Sequence, residues 1–454
     1  MARNLYDGDR LNRTDTGASE SSIMARWSNW SATVDASGIE MIRPVDREEL
    51  MTSAAHLFHQ GRRVRPLGNG HSFSAVGEPN DTAVDLSLLD SVVSVDRRRS
   101  QVTVEAGMSL RRLNTVLDAH GLALENMGDI DRQTVSGALS TGTHGTGASF
   151  GGLATQVRGV ELLTPDGDVV AVNESNDDFQ GMVIALGALG IVVSVTLQCV
   201  PAFRLEAREA PMRVDELLPR LDEFADGTDH FEFYWFPNTH TTLTKRNRRL
   251  PREEFASPPG RLSYWWNESF TENILFHATN RIGSLVSPGI PRLNRAAARF
   301  VSARHYTDTS HRVFTSPRTV VFREMEYALP RHCVHDALRE LMRYMDRSRT
   351  QVSFPVEVRF ARADDLWLST AHQRDTAYIA VHQYHRNPHR KFFAAAERIF
   401  GAFEGRPHWG KLHGLDATRL AELYPRFTDF RELRDRYDPQ RRLTNRYLNR
   451  VLGD

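Results

Sequence analysis

The chain has 454 residues, with 57 Lys+Arg against 57 Asp+Glu, so its formal net charge is zero, and 40% of its residues are hydrophobic. At about 150 residues per domain this is a globular chain of two or three domains. The balance excludes a disordered chain, a polybasic nucleic-acid binder and an acidic tail protein.

Only three of the basic residues are lysine, at Lys245, Lys391 and Lys411. In a chain that so prefers Arg, a retained Lys marks a position where a compact ammonium is wanted and a guanidinium fork does not fit. Two cysteines, Cys199 and Cys333, are too few for a disulfide framework or a Cys-based metal site. The N-terminal stretch has no apolar segment of the secretory kind, so residues 1–19 read as a polar extension and the expected setting is the reducing cytoplasm.

From Met41 to about Val200 helical and strand patterns alternate. A helix is expected around Asp46–Gln60, followed by a strand at Val64–Leu67 and a glycine-rich loop. Short strands follow at Ala83–Ser87, Val92–Asp96 and Gln101–Ala106. Leu110, Leu113, Val116 and Leu117 have the spacing of one helical face, so Leu110–His120 is a helix. Pro165-Asp166-Gly167 is a turn between Gly159–Leu163 and Asp168–Val172, which makes a hairpin. Met182–Val200 is mostly apolar, but Val193, Val195, Leu197 and Cys199 alternate with Ser194, Thr196 and Gln198 behind Gly187 and Gly190. That is a short helix, a turn and a strand, with no membrane anchor. Beyond Pro201 the chain becomes richer in Arg and aromatic residues. Strands are expected at Phe231–Trp235 and Thr319–Tyr327, a helix at His335–Met345, and long loops at the Pro-rich stretches 257–260 and 287–291.

Two segments carry cofactor chemistry. Pro66-Leu67-Gly68-Asn69-Gly70-His71-Ser72-Phe73 follows a strand, and glycines at that spacing let backbone N–H groups approach a diphosphate. It is not a dinucleotide fingerprint, because Phe73 stands where that pattern needs Gly. The run from Thr134 to Gly147 mixes hydroxylic residues with glycines, which leaves room for a cofactor and supplies donors to phosphate oxygens. In the C-terminal third, Glu357 and Arg359 lie two apart in a β-branched run. In a strand they share a face, where a carboxylate and a guanidinium either form a plain surface ion pair or hold a polyol and steady a developing alkoxide. His382, His385, His389, His408 and His413 suggest a metal, yet no ligand spacing and no carboxylate partner accompanies them, so no metal is expected.

The segments G-N-G-H-S-F and V-S-G-A-L-S-T-G-T-H-G-T-G, followed by G-A-L-G-I-V-V-S-V-T-L, resemble the FAD-binding domain of the vanillyl-alcohol-oxidase-type flavoproteins. Trp27-Ser28-Asn29-Trp30, E-V-R-F with D-D-L-W-L-S over 357–369, H-W-G-K at 408–411 and the closing D-P…N-R-Y-L narrow the resemblance to the aldonolactone oxidases. It covers roughly 26–205 and 350–452; the middle matches loosely.

The resemblance implies an α+β fold of two domains. The FAD-binding domain would span 20–203, the substrate domain 204–413, and residues 414–454 would return to the FAD domain. It implies FAD held by Pro66, Leu67, Gly68, Asn69, Gly70, His71, Ser72, Thr134, Gly137, Ala138, Ser140, Thr141, Gly142, His144, Gly145 and Ile191, with His71 attached covalently to the flavin 8α-methyl. Glu357, Arg359 and Lys411 would be catalytic. Asp129 would contact substrate, as would His382 or Gln383, depending on strand register. Gly128 would leave space for O2 beside the flavin. The implied reaction is oxidation of a sugar lactone, with O2 reduced to H2O2. The alternatives are an alditol oxidase, a lactone dehydrogenase with another acceptor, or a protein that holds FAD without turnover. The charged residues at the reacting face argue against the last. Oligomeric state is not legible.

Overall fold

The computed structural model describes residues 22–258, 302–316, 320–348, 350 and 352–454. The expected N-terminal extension and nearly all of the two Pro-rich stretches lie outside these residues. Among the described residues no helix is long and apolar enough to cross a membrane.

The N-terminal half holds two sheets. Ser22–Ser28, Asp35–Ile42, Thr82–Asp85 and Val64–Leu67 lie side by side in that order, the last three parallel. The helix Arg47–His59 connects two of them. Asp46 caps it by accepting from the Glu49 N–H at 2.9 Å, and Leu50, Ala54, Leu57 and Phe58 form its buried stripe. The second sheet is antiparallel, in the order Val92–Asp96, Gln101–Glu105, Ile191–Gln198, Val157–Leu163, Val169–Asn173. The expected hairpin around Pro165-Asp166-Gly167 is its far edge. Met182–Val200 is the end of a short helix, a turn and the central strand of this sheet, where both faces are covered and an apolar run is required. The run after Thr134 contains a helix, Val135–Ser140, whose cap is the Thr134 hydroxyl.

The third sheet has eight strands, all antiparallel to their neighbours. Their order is Arg304–Thr309, Phe203–Arg213, Thr241–Pro251, His230–Trp235, Val356–Ala361, Thr376–Tyr384, Phe322–Pro330 and Arg406–Pro407. Its two faces are unlike. On one, Phe231, Phe233, Val356, Val358, Phe360, Ile379, Val381 and Met325 pack with the helices Val334–Ser348 and Arg390–Gly401 into one apolar core. The alternate residues form a polar face that is also buried. Its register pairs Glu209 with Lys245, Lys245 with Glu232, Glu232 with Arg359 and Arg359 with Tyr378, a row of alternating charge across four strands that ends on a phenol in the fifth. The strand expected to end at Tyr327 runs on to Pro330, because Ala328 and Leu329 still pair with Tyr378 and Ala377.

The C-terminal helices Ala417–Leu423, Phe427–Tyr437 and Arg446–Leu452 add Leu420, Phe430, Leu433, Tyr447, Leu448 and Val451 to the core that also contains Val102, Val104, Leu113 and Leu117. The closing motif explains this return. The Asp438 carboxylate accepts from the Arg442 and Leu443 N–H groups at 2.7 and 2.8 Å. Asn445 caps the last helix and donates to the carbonyls of Ala75, Val76 and Glu78. Residues that look like a signature are here staples.

Candidate active site

A cleft of about 790 Å³ runs over the first loop segment. Pro66, Leu67, Gly68, Asn69, Gly70, His71 and Ser72 line it, as do Thr134, Gly137, Ser140 and Thr141. Trp27, Arg65, Gln133 and Ser136 line it too and were not foreseen. Two features suit it to FAD. A Cβ on Gly68 would lie 2.3 Å from Thr134 Oγ1, so only glycine permits the two loops to close around a cofactor. Arg65 is buried and its Nε has no protein partner, although its other nitrogens donate to the carbonyls of Leu186, Gly187 and Leu443.

Five expected contacts fall elsewhere, one of them, His144, in a second cavity described below. Ala138 is buried in the core behind the cleft. Ile191 packs against the core that holds Leu163 and Val193, while Gly190 and Val192 face the cleft, because strand alternation turns residue 191 away. Gly142 and Gly145 are not among the lining residues; a Cβ on Gly145 would strike the Met127 carbonyl at 2.3 Å, so that glycine serves a close backbone approach.

A second cavity of about 660 Å³ shares the lining residues His71, Ser72, Gln133 and Thr141 with the cleft, so the two adjoin. The sheet's polar face forms one wall through Glu324, Glu326, Glu357, Arg359 and His382. Loops form the other through Gly128, Asp129, His144, His408, Gly410 and Lys411. Of the two residues left open by register, His382 enters the cavity. Gln383 sits on the opposite face of its strand, where its amide donates to the Pro388 carbonyl, so it is not a substrate contact.

The H-W-G-K loop is tied to the histidine loop. The N–H groups of Phe73 and Ser74 both donate to the Gly410 carbonyl, and the Ser74 hydroxyl to that of Trp409. Lys411 Nζ is 2.6 Å from Glu324 Oε2 and 4.9 Å from the centroid of the Phe73 ring. Burial works against both charges of this pair. Even so, Glu324 holds the Lys411 ammonium above its usual range, and Lys411 holds the carboxylate well below its own.

Arg359 is gripped from three directions. Its Nε is 3.0 Å from Glu232 Oε2, and its Nη2 contacts Glu357 Oε1 and lies 3.3 Å from Asp129 Oδ2. Glu232 also binds Lys245 at 2.9 Å, and the Tyr234 hydroxyl reaches Glu232 and Glu357 at 3.2 and 3.1 Å. Burial lowers basicity here, but Glu357, Asp129 and Glu232 keep Arg359 charged and well above its ordinary value. The cavity itself is lined by four carboxylates, Asp129, Glu324, Glu326 and Glu357, against two cations, Arg359 and Lys411. Such a wall favours a neutral polyhydroxylated ligand over an anion.

His71 stands at the junction of cleft and cavity. Its ring stacks beside Trp30 at 6.2 Å, and Trp30 is placed by its own N–H donating to the Gly70 carbonyl. Asn29 fixes the same loop through Ser72 O at 2.8 Å, which accounts for the W-S-N-W opening. Burial, with Arg132 and Lys411, pushes the His71 imidazole down to about 4, so its ring stays neutral and nucleophilic. Gly128 has little free space beside it. A Cβ there would lie 3.0 Å from the His144 carbonyl and 3.3 Å from Thr143 Cγ2.

The histidines of the C-terminal third do not converge. His382 Nδ1 bonds Pro355 O, His385 Nδ1 bonds Val321 O, and His389 Nδ1 meets Arg323. Among the described residues the one group with metal-ligand spacing is His144, Glu326 and His408, whose ligand atoms lie within 4.8 Å of one another. There His408 Nδ1 accepts from the Gly410 N–H, which leaves a proton on Nε2 of the neutral ring and removes it as a ligand.

Similarity to known proteins agrees with this geometry. The family model for D-arabinono-1,4-lactone oxidase matches residues 195–451, and that for the FAD binding domain matches 40–173. The chain is 39% identical to L-gulono-1,4-lactone dehydrogenase of Mycobacterium tuberculosis over 94% of this chain and 99% of that protein. It is 32% identical to L-gulonolactone oxidase of Bos taurus, covering 94% and 98%. With an alditol oxidase of a Streptomyces species it shares 31%, covering 93% and 98%. A solved solvent-stable cholesterol oxidase superposes with a TM-score of 0.81 over 95% of this chain and 98% of that one, at 18% identity, which is likeness of fold alone.

Proposed function

The chain belongs to the D-arabinono-1,4-lactone oxidase family of FAD-dependent oxidoreductases acting on CH–OH groups, and from that premise we propose that it oxidises a sugar lactone of the L-gulono-1,4- or D-arabinono-1,4-lactone type, with O2 as acceptor and H2O2 as product. The observation that carries the reading is a glycine-built cleft that adjoins, through His71, Ser72, Gln133 and Thr141, a cavity walled by fixed ion pairs. FAD, when bound in the cleft, supplies the acceptor for the hydride of the substrate C–H bond.

The protein's own groups do the rest. Glu357 and Arg359, held rigid by Glu232 and Asp129, orient the substrate hydroxyls. Lys411 and Arg359 place fixed positive charge where negative charge builds, without reorganisation at the moment of reaction. His71 carries the flavin covalently through its neutral ring. The FAD-binding unit is taken as 20–203 closed by 414–454, with 204–413 as the substrate unit; the packing of the C-terminal helices against the core of Val102, Val104 and Leu113 supports that division.

Incubating the purified protein with a panel of aldonolactones and alditols, and following H2O2 release against dye reduction, tests this reading. Lactone-dependent H2O2 is the expected result. Turnover only with the dye would make it a dehydrogenase, and preference for open-chain polyols an alditol oxidase. The second reading has one specific observation behind it: the cavity's four carboxylates would serve a linear polyol as well as a ring.

A further inference from the structure

We infer that His382 is the general base that removes the substrate's hydroxyl proton. The inference rests on the proposed oxidation of a CH–OH group in this cavity. His382 lies on the strand Thr376–Tyr384 and is 7% exposed. Its Nδ1 bonds the carbonyl of Pro355 at 3.1 Å, and a carbonyl can only accept, so Nδ1 carries the proton. In the neutral ring Nε2 is then bare. It lies 3.6 Å from Glu324 Oε1 and 3.9 Å from Glu357 Oε2, and an ionised carboxylate has no proton to donate, so the lone pair is spent on neither. Phe322, in an edge-to-face arrangement, and Phe354, tilted against it, pack on the ring, with centroids at 5.3 and 6.1 Å.

The other candidate bases are committed. Lys411 is a salt-bridged ammonium and Arg359 a charged fork held by three carboxylates. Glu324 is bound to Lys411 and is correspondingly a weak base, and Glu357 is bound to Arg359. His408 Nδ1 accepts from Gly410. His144 stacks on Tyr378 at 3.5 Å and its Nε2 is 3.3 Å from Glu326, whose carboxylate it helps hold far below the usual range. Once His382 takes a proton, the charges facing it are Glu324 and Glu357, themselves paired with Lys411 and Arg359, and the two carboxylates stabilise the imidazolium.

The step balances. The substrate C–H bond breaks with its electron pair, which leaves as hydride to FAD. The O–H bond breaks with its proton passing to His382 Nε2, and the C–O bond becomes C=O. Substrate is oxidised by two electrons and FAD is reduced by two.

The test is anaerobic stopped-flow reduction of the FAD-loaded enzyme by its best lactone or polyol, from about pH 5 to 9. The variants are His382→Gln, His382→Asn and His144→Gln. Asn keeps an N–H donor for the Pro355 carbonyl. In the parent, the reduction rate should fall on the acid side with one ionisation. Both His382 variants should stay yellow and still saturate with substrate. They should reduce about 10²–10³ times more slowly, with the acid limb gone. A parent rate that is flat with pH overturns the proposal without any variant. So do His382 variants that reduce at the parent rate, ones that are slow yet keep the acid limb, and an acid limb lost only in His144→Gln. If no lactone or polyol reduces the parent at all, it is the functional reading that falls, and this inference falls with it.

Discussion

On one side of the active-site cavity the backbone does the work: glycines, hydroxyls and a neutral histidine in loops that pass within van der Waals distance of each other. On the other side lies a flat sheet face, where charged side chains neutralise one another in register and the backbone only spaces them. Position 68 admits no Cβ because Thr134 Oγ1 would lie 2.3 Å away, whereas Arg359 keeps its place through Glu232, Asp129 and Glu357. The loop side selects by space and the sheet side by charge. A substitution on the loop side should therefore act through cofactor attachment and packing, and one on the sheet side or at Lys411 through the rate of substrate oxidation.

The largest expected effects test the charge side. Removing a preorganised charge that stabilises a transition state costs on the order of 10²–10³ in rate. Lys411→Met should slow flavin reduction by that factor while the protein remains folded and yellow. Arg359→Lys keeps the charge and loses the fork that three carboxylates grip, so it too should fail to restore the parent rate. If both variants reduce at the parent rate in stopped flow, the sheet face is structural and the division between the two walls collapses.

On the loop side the sharpest test is His71→Ala. In the parent, acid precipitation should leave a yellow pellet. In the variant the flavin should appear in the supernatant, with turnover reduced rather than abolished. A parent pellet without colour would show that His71 packs against the cofactor without bonding to it.

Gly128→Ala compares space with access. The added methyl meets the His144 carbonyl at 3.0 Å, a backbone atom that cannot swing aside. Overpacking of this kind costs about 1–3 kcal/mol. The variant should melt earlier and reoxidise more slowly with O2, while anaerobic reduction by substrate changes less. Unchanged reoxidation with lowered stability would mean that the glycine serves packing alone.

Much of this site was legible because its motifs lie in short contiguous stretches. G-N-G-H-S-F, E-V-R-F and H-W-G-K each place several lining residues within a few positions, and the alternation around Val193–Cys199 located a central strand. Other parts were hidden for a physical reason. Glu324 and Glu326 lie inside the strand expected over Thr319–Tyr327, but the spacing E-M-E, which puts two carboxylates on one face, passed unread because no flanking motif marked it. Glu232 meets Arg359, and Lys245 meets Glu232, only through register across three strands, and register is set by pairings that no local pattern encodes. Gln383 and Ile191 were misplaced by a single step of alternation. Asp438 and Asn445, parts of the closing motif to which no role was assigned, bind backbone.

The smallest effect concerns a neutral histidine behind the H-W-G-K loop. His413 Nε2 is 2.9 Å from the Tyr447 hydroxyl, which itself donates to the Trp409 carbonyl at 3.0 Å. Tyr447 must therefore accept from His413, which places the imidazole proton on Nε2 and leaves buried Nδ1 without a partner. Burial, then Arg450 and His408, pushes this imidazole from an ordinary 6.5 down to about 3. Between those values the unfolded chain binds a proton that the folded chain does not, so the contribution to stability is complete above about pH 6.5 and is lost as the pH falls toward 3. The slope is about 1.4 kcal/mol per pH unit for one proton. His413→Gln keeps an N–H donor for Tyr447 and removes the titration. Denaturant unfolding at pH 7, 6 and 5 should show the variant losing less stability than the parent by close to that slope. The carboxylates of the sheet face titrate only below about 4.5 in the unfolded chain and cannot mimic it there. Equal slopes in the two proteins would mean that His413 is already protonated in the fold, and that the loop side carries a buried positive charge that its packing was taken to avoid.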